Sequence, residues 1–464
     1  MKTQSHHSQT FRSIPTHSKP FDKSRLEKVM QEQLEMYKKS TLGSGLEYQL
    51  ATQFIPLGTH STFQSFEPYP VSIVSAKGAW MTDVDGRKML DLSMGFGAML
   101  AGHLNPDVVS ELRDALDVGT LFTTPSPLSR DAAERICRRF GIDQVRFTNS
   151  GTESTMYAVR TARAYSGKEG VVKVEGGYHG SHDSVLFSNK PALAKAGPAD
   201  APTPVIPNAS VAGEVYVVPF NDADALENLF EKHSKTIACF IVEPVLENIG
   251  IVLPDEGYLE AVRVLCDKYK VVLIFDEVKT GLTAGPQGAA QRLGVIPDLI
   301  CLAKSIGGGI PLAAFGGKAE FMLPVSDGRM PHLGTFNGHA LAMAAVRAVD
   351  KICTASALEK AELLNRDALI RIREVIDEYE LPAHTVGFGV KGCITWSDTP
   401  VRNYRDYKAT NFQIAELSFL WSLNHGVITP PGLDEQWLIS LAHGQAEIDF
   451  MVNDFKELAK TIRG

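Results

Sequence analysis

The 464-residue chain has no C-x-x-C pair; its six cysteines, Cys137, Cys239, Cys266, Cys301, Cys353 and Cys393, are scattered. That pattern offers neither a zinc site nor a disulfide framework and suits a reduced compartment. Thirteen histidines do not alter this, because only His6-His7 and the pair His179 and His182 lie close together, and neither has the ligand set of a structural zinc. No metal is expected. No apolar run approaches the length of a membrane span, and the polar stretch 1–20, rich in Ser, Thr and His, lacks the apolar core of a signal peptide. A soluble, cytoplasmic protein is expected, with residues 1–20 as a disordered tail. Acidic residues outnumber basic ones, 54 against 46, and the net charge of -8 argues against nucleic acid or an anionic membrane as partner. Arginine is missing between Arg25 and Arg87 and again between Pro430 and His443. A bidentate guanidinium is the usual receptor for a carboxylate, and neither stretch can supply one.

What is present describes a sizeable α/β protein. The length exceeds the ~250–300 residues at which one hydrophobic core stops growing, so two or three lobes are expected. From 126 to 345, strand-like apolar runs alternate with helical ones, which implies βαβ units and a mostly parallel sheet. Leu26, Val29, Met30, Leu34 and Tyr37 share one face of a helix over 22–39, which either docks on the body or a partner subunit or lies solvated. Asp85-Gly86 falls between alternating runs and predicts a hairpin. A helix is expected over 339–352, and strands over 392–396 and 437–441. Five prolines between 190 and 213 exclude a regular helix or central strand there, leaving a lid or an inert loop.

Three pieces carry chemistry. Lys304 ends the short apolar run 297–303 and precedes Ser305-Ile306-Gly307-Gly308-Gly309. A lysine at a strand exit beside glycines can be desolvated, and then serves as nucleophile or Schiff-base former; read alone, it is more often a solvated charge. Asp276 and Glu277 close the β-branched run 271–275, and a carboxylate there points into the crevice where doubly wound sheets bind ligands. It can cap a helix or form a salt bridge, or pair with a cationic ring nitrogen such as that of pyridoxal phosphate. Ser150-Gly151-Thr152 joins a strand to a helix, where free N–H groups and hydroxyls make either an anion site or a plain N-cap.

Asn149-Ser150-Gly151-Thr152-Glu153, Gly177-Tyr178-His179-Gly180, Val242-Glu243-Pro244-Val245, Ile274-Phe275-Asp276-Glu277-Val278, Lys304-Ser305-Ile306-Gly307-Gly308-Gly309 and Gly334-Thr335-Phe336-Asn337-Gly338 follow one another in the order and spacing of class III aminotransferases. Over residues 50 to 460 the chain resembles that family, and within it the branch of glutamate-1-semialdehyde aminomutase and β-phenylalanine aminotransferase. The resemblance implies a fold type I pyridoxal-phosphate transferase, with a large domain of mostly parallel sheet flanked by helices and a smaller α+β domain built from both chain ends. It implies an N-terminal helix and small-domain segment at 21–100, a cofactor domain at 101–345 and a C-terminal small domain at 346–464. It further implies that Lys304 holds the cofactor covalently and shuttles a proton, and that Asp276 keeps the ring nitrogen protonated. Ser150, Gly151 and Thr152 would bind the phosphate, Tyr178 and Val278 the two ring faces, with His179 alongside and Glu243 in support. Thr335 would reach the phosphate of a neighbouring subunit, making the active unit a homodimer.

The substrate is where the chain departs from that branch. Gln64 stands where the aminomutase has a carboxylate-binding arginine, His60 where the β-phenylalanine enzyme has one, and Phe96 where the aminomutase has a tryptophan. Glu435 aligns with an aminomutase active-site glutamate, and Arg402 and Arg405 are either a carboxylate fork or surface charges. The expected activity is ping-pong transfer of an amino group between an amine, amino acid or β-amino acid-like donor and a carbonyl acceptor. Intramolecular transfer of the aminomutase type is the first alternative, and racemisation or epimerisation the second.

Overall fold

The computed structural model describes residues 10–15, 17–206, 214–431 and 436–464. The chain divides into two compact units, one of residues 1–105, 359–400 and 409–464, the other of residues 106–358 and 401–408. Among the described residues no helix is long and apolar enough to cross a membrane. In chain order the strands are β1 (Thr10–Ser13), β2 (Ile73–Lys77), β3 (Trp80–Asp83), β4 (Lys88–Asp91), β5 (Gln144–Thr148), β6 (Gly170–Val174), β7 (Val215–Val218), β8 (Ile237–Val242), β9 (Val272–Glu277), β10 (Leu299–Ala303), β11 (Ala313–Gly317), β12 (His384–Phe388), β13 (Lys391–Thr395), β14 (Val427–Ile428) and β15 (Trp437–Leu438).

The first unit is made by both chain ends. Its two sheets run β1-β12-β13-β15 and β14-β4-β3-β2. β3 and β4 form the hairpin expected at Asp85-Gly86, with Met81 opposite Met89 and Gly86 at φ 82°. The helix Lys23–Ser40 starts at Asp22, whose carboxylate accepts from the N–H groups of Ser24 and Arg25. It is docked rather than solvated: Leu26, Val29 and Tyr37 are buried, and the Tyr37 hydroxyl donates to the Tyr69 carbonyl at 2.7 Å. The stretch 1–20 needs correction, because residues 10–13 form β1 and pair with β12, Arg12 opposite Val386. An edge strand is held by backbone hydrogen bonds, which a polar composition does not register. Residues 1–9 and 16 lie outside the described residues.

The second unit carries one seven-stranded sheet in the order β5-β11-β10-β9-β8-β6-β7. Neighbours from β10 through β7 pair in parallel, while β11 is antiparallel to both β10 and β5. Two reversals cancel, so β5 points the same way as β10, and β11 alone runs against the rest. β8, β9 and β10 are buried along their whole length, as continuous apolar runs in a sheet covered on both faces should be. The C-terminal ends of six strands therefore lie along one edge of the sheet, where ligand sites of doubly wound folds are built.

The proline-rich segment contains only a short turn, Leu193–Lys195, up to residue 206; residues 207–213 lie outside the described residues. Its near part is tied back on itself, Ser188 N–H donating to Thr203 O at 2.7 Å and Val205 N–H to Leu186 O at 2.9 Å.

One half-buried histidine gives the second unit a pH signature. His332 sits edge-on to Tyr157 and Phe315, with ring centroids at 4.4 and 5.3 Å, and burial, helped by Arg146, holds it down to about 4. The unfolded chain would bind a proton there near pH 6.5 that the folded chain refuses, so stability present above 6.5 is lost as pH falls toward 4. His332→Phe is expected to lose less melting temperature than the wild type over that window. Equal losses in a thermal-melt series would refute this.

Candidate active site

Lys304 leaves the end of β10 in a left-handed conformation, φ 50°, and begins the single turn Lys304–Ile306. For a residue with a Cβ that backbone costs ~1–2 kcal/mol, and such strain persists where the surroundings impose it. Its side chain is half-buried. Cys301 pairs with Asp276 in the parallel register of β10 and β9, so Lys304 emerges from the strand next to the one that carries the carboxylate.

Asp276 is almost fully buried and is held from two sides. His179 Nδ1 stands 2.8 Å from one carboxylate oxygen, and the Val278 N–H donates to the other at 3.0 Å. His179 is itself buried, its carbonyl accepts from the Thr155 hydroxyl at 2.5 Å, and its Nε2 has no hydrogen-bond partner. Next to it, the Tyr178 N–H donates to Glu243 Oε1 at 3.3 Å, while Glu243 Oε2 accepts from the Glu247 N–H at 3.0 Å. Burial pushes the Glu243 carboxyl above the usual range, with the His179 imidazole acting against it. His182, close by, is held down to about 3 by burial and by His179.

The turn after β5 completes the cluster. Ser150 caps the helix Gly151–Ser166, its hydroxyl accepting from the Glu153 N–H at 3.2 Å, and Thr152 Oγ1 accepts from the Ser181 N–H at 3.1 Å. A Cβ at Gly151 would stand 3.1 Å from Val278 Cγ1, so turn and valine lie against each other. Gly180 has φ 95°, and a Cβ there would be 2.7 Å from the Thr152 Cα; only glycine lets the two loops meet. A helix N-terminus with two hydroxyls suits a phosphate, a buried carboxylate suits a protonated ring nitrogen, and a half-buried lysine suits a carbonyl. The donor set fits pyridoxal phosphate. Among the described residues no group of His, Cys, Asp or Glu could hold a metal ion.

Lys304, Asp276, Ser150, Gly151, Thr152, Tyr178, His179, Glu243 and Val278 thus lie along one edge of one sheet. Thr335 is exposed and lines a separate cavity of about 760 Å³ with Leu121, Phe122, Arg146 and Asn337. The Asn149 side chain links the two, donating to Asn337 Oδ1 at 3.1 Å. His60 and Gln64 are exposed residues of the first unit, Gln64 in the turn Thr62–Gln64; Phe96, in the same unit, has φ 55° and its ring centroid 6.4 Å from that of Phe63. Glu435 lies outside the described residues. Of the two readings of Arg402 and Arg405, the structure favours surface charges: both side chains are more than half exposed, Arg402 Nε donating to Asp255 at 3.1 Å and Arg405 pairing with Glu175 at 3.4 Å within the second unit. Thr155 was not singled out from the sequence; its spacing of three from Thr152 puts it on the same helix face and was the available signal.

The family model described as "Aminotransferase class-III" matches residues 63–409. A glutamate-1-semialdehyde 2,1-aminomutase of Methanocorpusculum labreanum is 38% identical over 417 residues, covering 89% of this chain and 98% of the relative. The crystal structure of a glutamate-1-semialdehyde-aminomutase from Pseudomonas aeruginosa superimposes with a TM-score of 0.88 at 26% identity, over 95% of this chain and 99% of that one. An omega-transaminase from Sphaerobacter thermophilus gives 0.87 at 31% identity, over 92% and 99%.

Gly180→Ala tests the contact between the two loops. The added methyl group would drive the Ser181 N–H away from Thr152, and affinity for pyridoxal phosphate, titrated by absorbance, is expected to fall by roughly ten-fold. An unchanged affinity would show that the close approach is dispensable.

Proposed function

The chain belongs to the class III aminotransferases, enzymes that use pyridoxal phosphate, and from that premise we propose that it passes an amino group from an amine, amino acid or β-amino acid-like donor to a separate carbonyl acceptor. When bound, pyridoxal phosphate carries the amino group and absorbs the electrons released at the donor carbon. Lys304 would hold the cofactor through Nζ, and once freed its Nζ would carry a proton from the donor carbon to the cofactor. Asp276, fixed by His179 Nδ1 and the Val278 N–H, keeps a proton on the ring nitrogen. Ser150, Gly151 and Thr152 receive the phosphate, Tyr178 and Val278 offer surfaces to the ring, and Glu243 steadies the Tyr178 backbone.

The observation that carries the choice of substrate is the absence of arginine between Arg25 and Arg87. His60, Gln64 and Phe96, proposed to meet the substrate, are poor receptors for a carboxylate, and Arg402 and Arg405 pair with Asp255 and Glu175. The reacting end of the substrate is therefore neutral or weakly anionic. A second reading, intramolecular transfer as in a glutamate-1-semialdehyde aminomutase with Glu435 in the site, is favoured by the likeness to the Methanocorpusculum labreanum aminomutase at 38% identity. We also propose a homodimer in which the exposed Thr335 reaches the partner subunit's cofactor phosphate. The six free cysteines suit a cytoplasmic setting.

The half-reaction separates the two readings. The cofactor-loaded protein is offered one donor at a time, without acceptor: glutamate, alanine, a β-aryl β-amino acid and a simple alkyl amine. Loss of the lysine-bound absorbance with release of a carbonyl product establishes intermolecular transfer. Conversion of glutamate semialdehyde to its isomer without free keto product would establish the aminomutase instead. In either case Asp276→Asn is expected to slow the half-reaction by roughly 100-fold or more while Lys304 remains reducible by borohydride. A smaller loss would remove Asp276 from the chemistry.

A further inference from the structure

Lys173 is a fully buried lysine in β6, a strand whose five residues are all buried. Its register neighbours are apolar, Val217 on β7 and Ile241 on β8. An ammonium in such a place is costly unless each of its three N–H donors finds an acceptor. All three do: Nζ donates to Gly177 O at 2.8 Å, to Phe187 O at 2.5 Å and to Asn189 Oδ1 at 2.7 Å. None of the acceptors is a carboxylate. Burial holds the amine down to about 7, with Glu243 acting against it.

The three acceptors share a placement. Gly177 opens the loop that follows β6, and Phe187 and Asn189 close it. Between them lie Tyr178, His179 and Ser181, which bond to Glu243, Asp276 and Thr152 in turn. The loop's ends also meet through the backbone, Gly176 N–H donating to Ser188 O at 2.9 Å. A surface loop of this length with joined ends keeps its shape by its own internal bonds. Here one ammonium ties the beginning to the end.

We propose that Lys173 is a positioning residue: its buried ammonium knots the Gly177 and Phe187 carbonyls and the Asn189 side chain together, and so sets the loop that presents Tyr178 and His179 to the cofactor. This rests on the proposed roles of Tyr178 and His179 only for its consequence; the knot stands on geometry alone. Lys173 touches neither substrate nor cofactor.

Hydrogen–deuterium exchange on the cofactor-free full chain tests the knot, and a pyridoxal phosphate titration of the same preparations tests what it does. In Lys173→Met, amide exchange over 176–190 is expected to rise roughly ten-fold or more, with the rest of the sheet unchanged, and the dissociation constant of pyridoxal phosphate to rise by about the same factor. Should Lys173→Met fail to fold, Asn189→Ala removes one acceptor from a half-buried position and is expected to move both readouts the same way by less. The Lys173→Met and Asn189→Ala pair should be non-additive, since both cut one knot. Unchanged exchange over 176–190 in either variant that folds would overturn the knot. Faster exchange with unchanged cofactor affinity would overturn the positioning role. If the wild type itself fails to bind pyridoxal phosphate, the functional reading falls, and the exchange comparison still decides the knot.

Discussion

Asp276 and His179 meet at 2.8 Å in a place where both are nearly shut off from water, and the edge of the large sheet is arranged to keep them together. A buried carboxylate costs several kcal/mol unless it is paired and hydrogen-bonded. Asp276 is the last residue but one of β9, whereas His179 follows β6, and β8 stands between the two strands. The loop after β6 must therefore cross the end of β8 to deliver the imidazole. Glu243 lies there, just beyond Val242, and takes the Tyr178 N–H as the loop passes. The carboxylate at the end of β8 and the one at the end of β9 are thus two supports of one crossing loop.

Such a crossing explains the unusual concentration of buried charge along this edge. Lys173, Glu243 and Asp276 are each no more than 3% exposed, and His179 and His182 lie among them. A loop that runs over strand ends cannot satisfy its backbone groups from the sheet ladder, so side chains must do it. Lys173 collects two of its carbonyls, Glu243 one of its N–H groups, Thr152 another and Thr155 a further carbonyl. Five of the loop's backbone groups are thus held by side chains standing on three different elements.

Much of this framework was legible beforehand, for physical reasons that vary by element. The run at 271–275 is largely β-branched and that at 299–303 is apolar throughout, the mark of strands buried on both faces, and they became β9 and β10. The direction of β11 was not legible, since direction is set by connection and not by composition. β1 was missed because Thr10–Ser13 contributes backbone to its sheet and little apolar surface. The detour of residues 401–408 into the second unit was invisible for a related reason. It is fixed by Tyr404, whose hydroxyl reaches the Pro191 carbonyl at 2.5 Å and whose ring lies against Gly176, and no local pattern encodes partners more than two hundred residues away. At the site, the placement of Asp276, Lys304 and the Ser150–Thr152 turn at strand ends was legible. The pairing of His179 with Asp276 was not, because it depends on the crossing.

The detour also bears on substrate charge. A carboxylate fork from Arg402 and Arg405 would require both to leave their present partners. Arg402 could do so cheaply, since its pair with Asp255 is largely exposed and exposed pairs contribute ~0–1 kcal/mol. Arg405 could not. Its partner Glu175 is 3% exposed, with burial already pushing that carboxyl upward against the guanidinium, and removing Arg405 would strand a buried carboxylate at the end of β6, two residues before the loop that carries Tyr178 begins. Recruiting Arg405 to a substrate would therefore loosen the support of the loop that the same reaction needs. That constraint agrees with the proposed substrate, which asks for no guanidinium, as does the arginine-free stretch from 26 to 86.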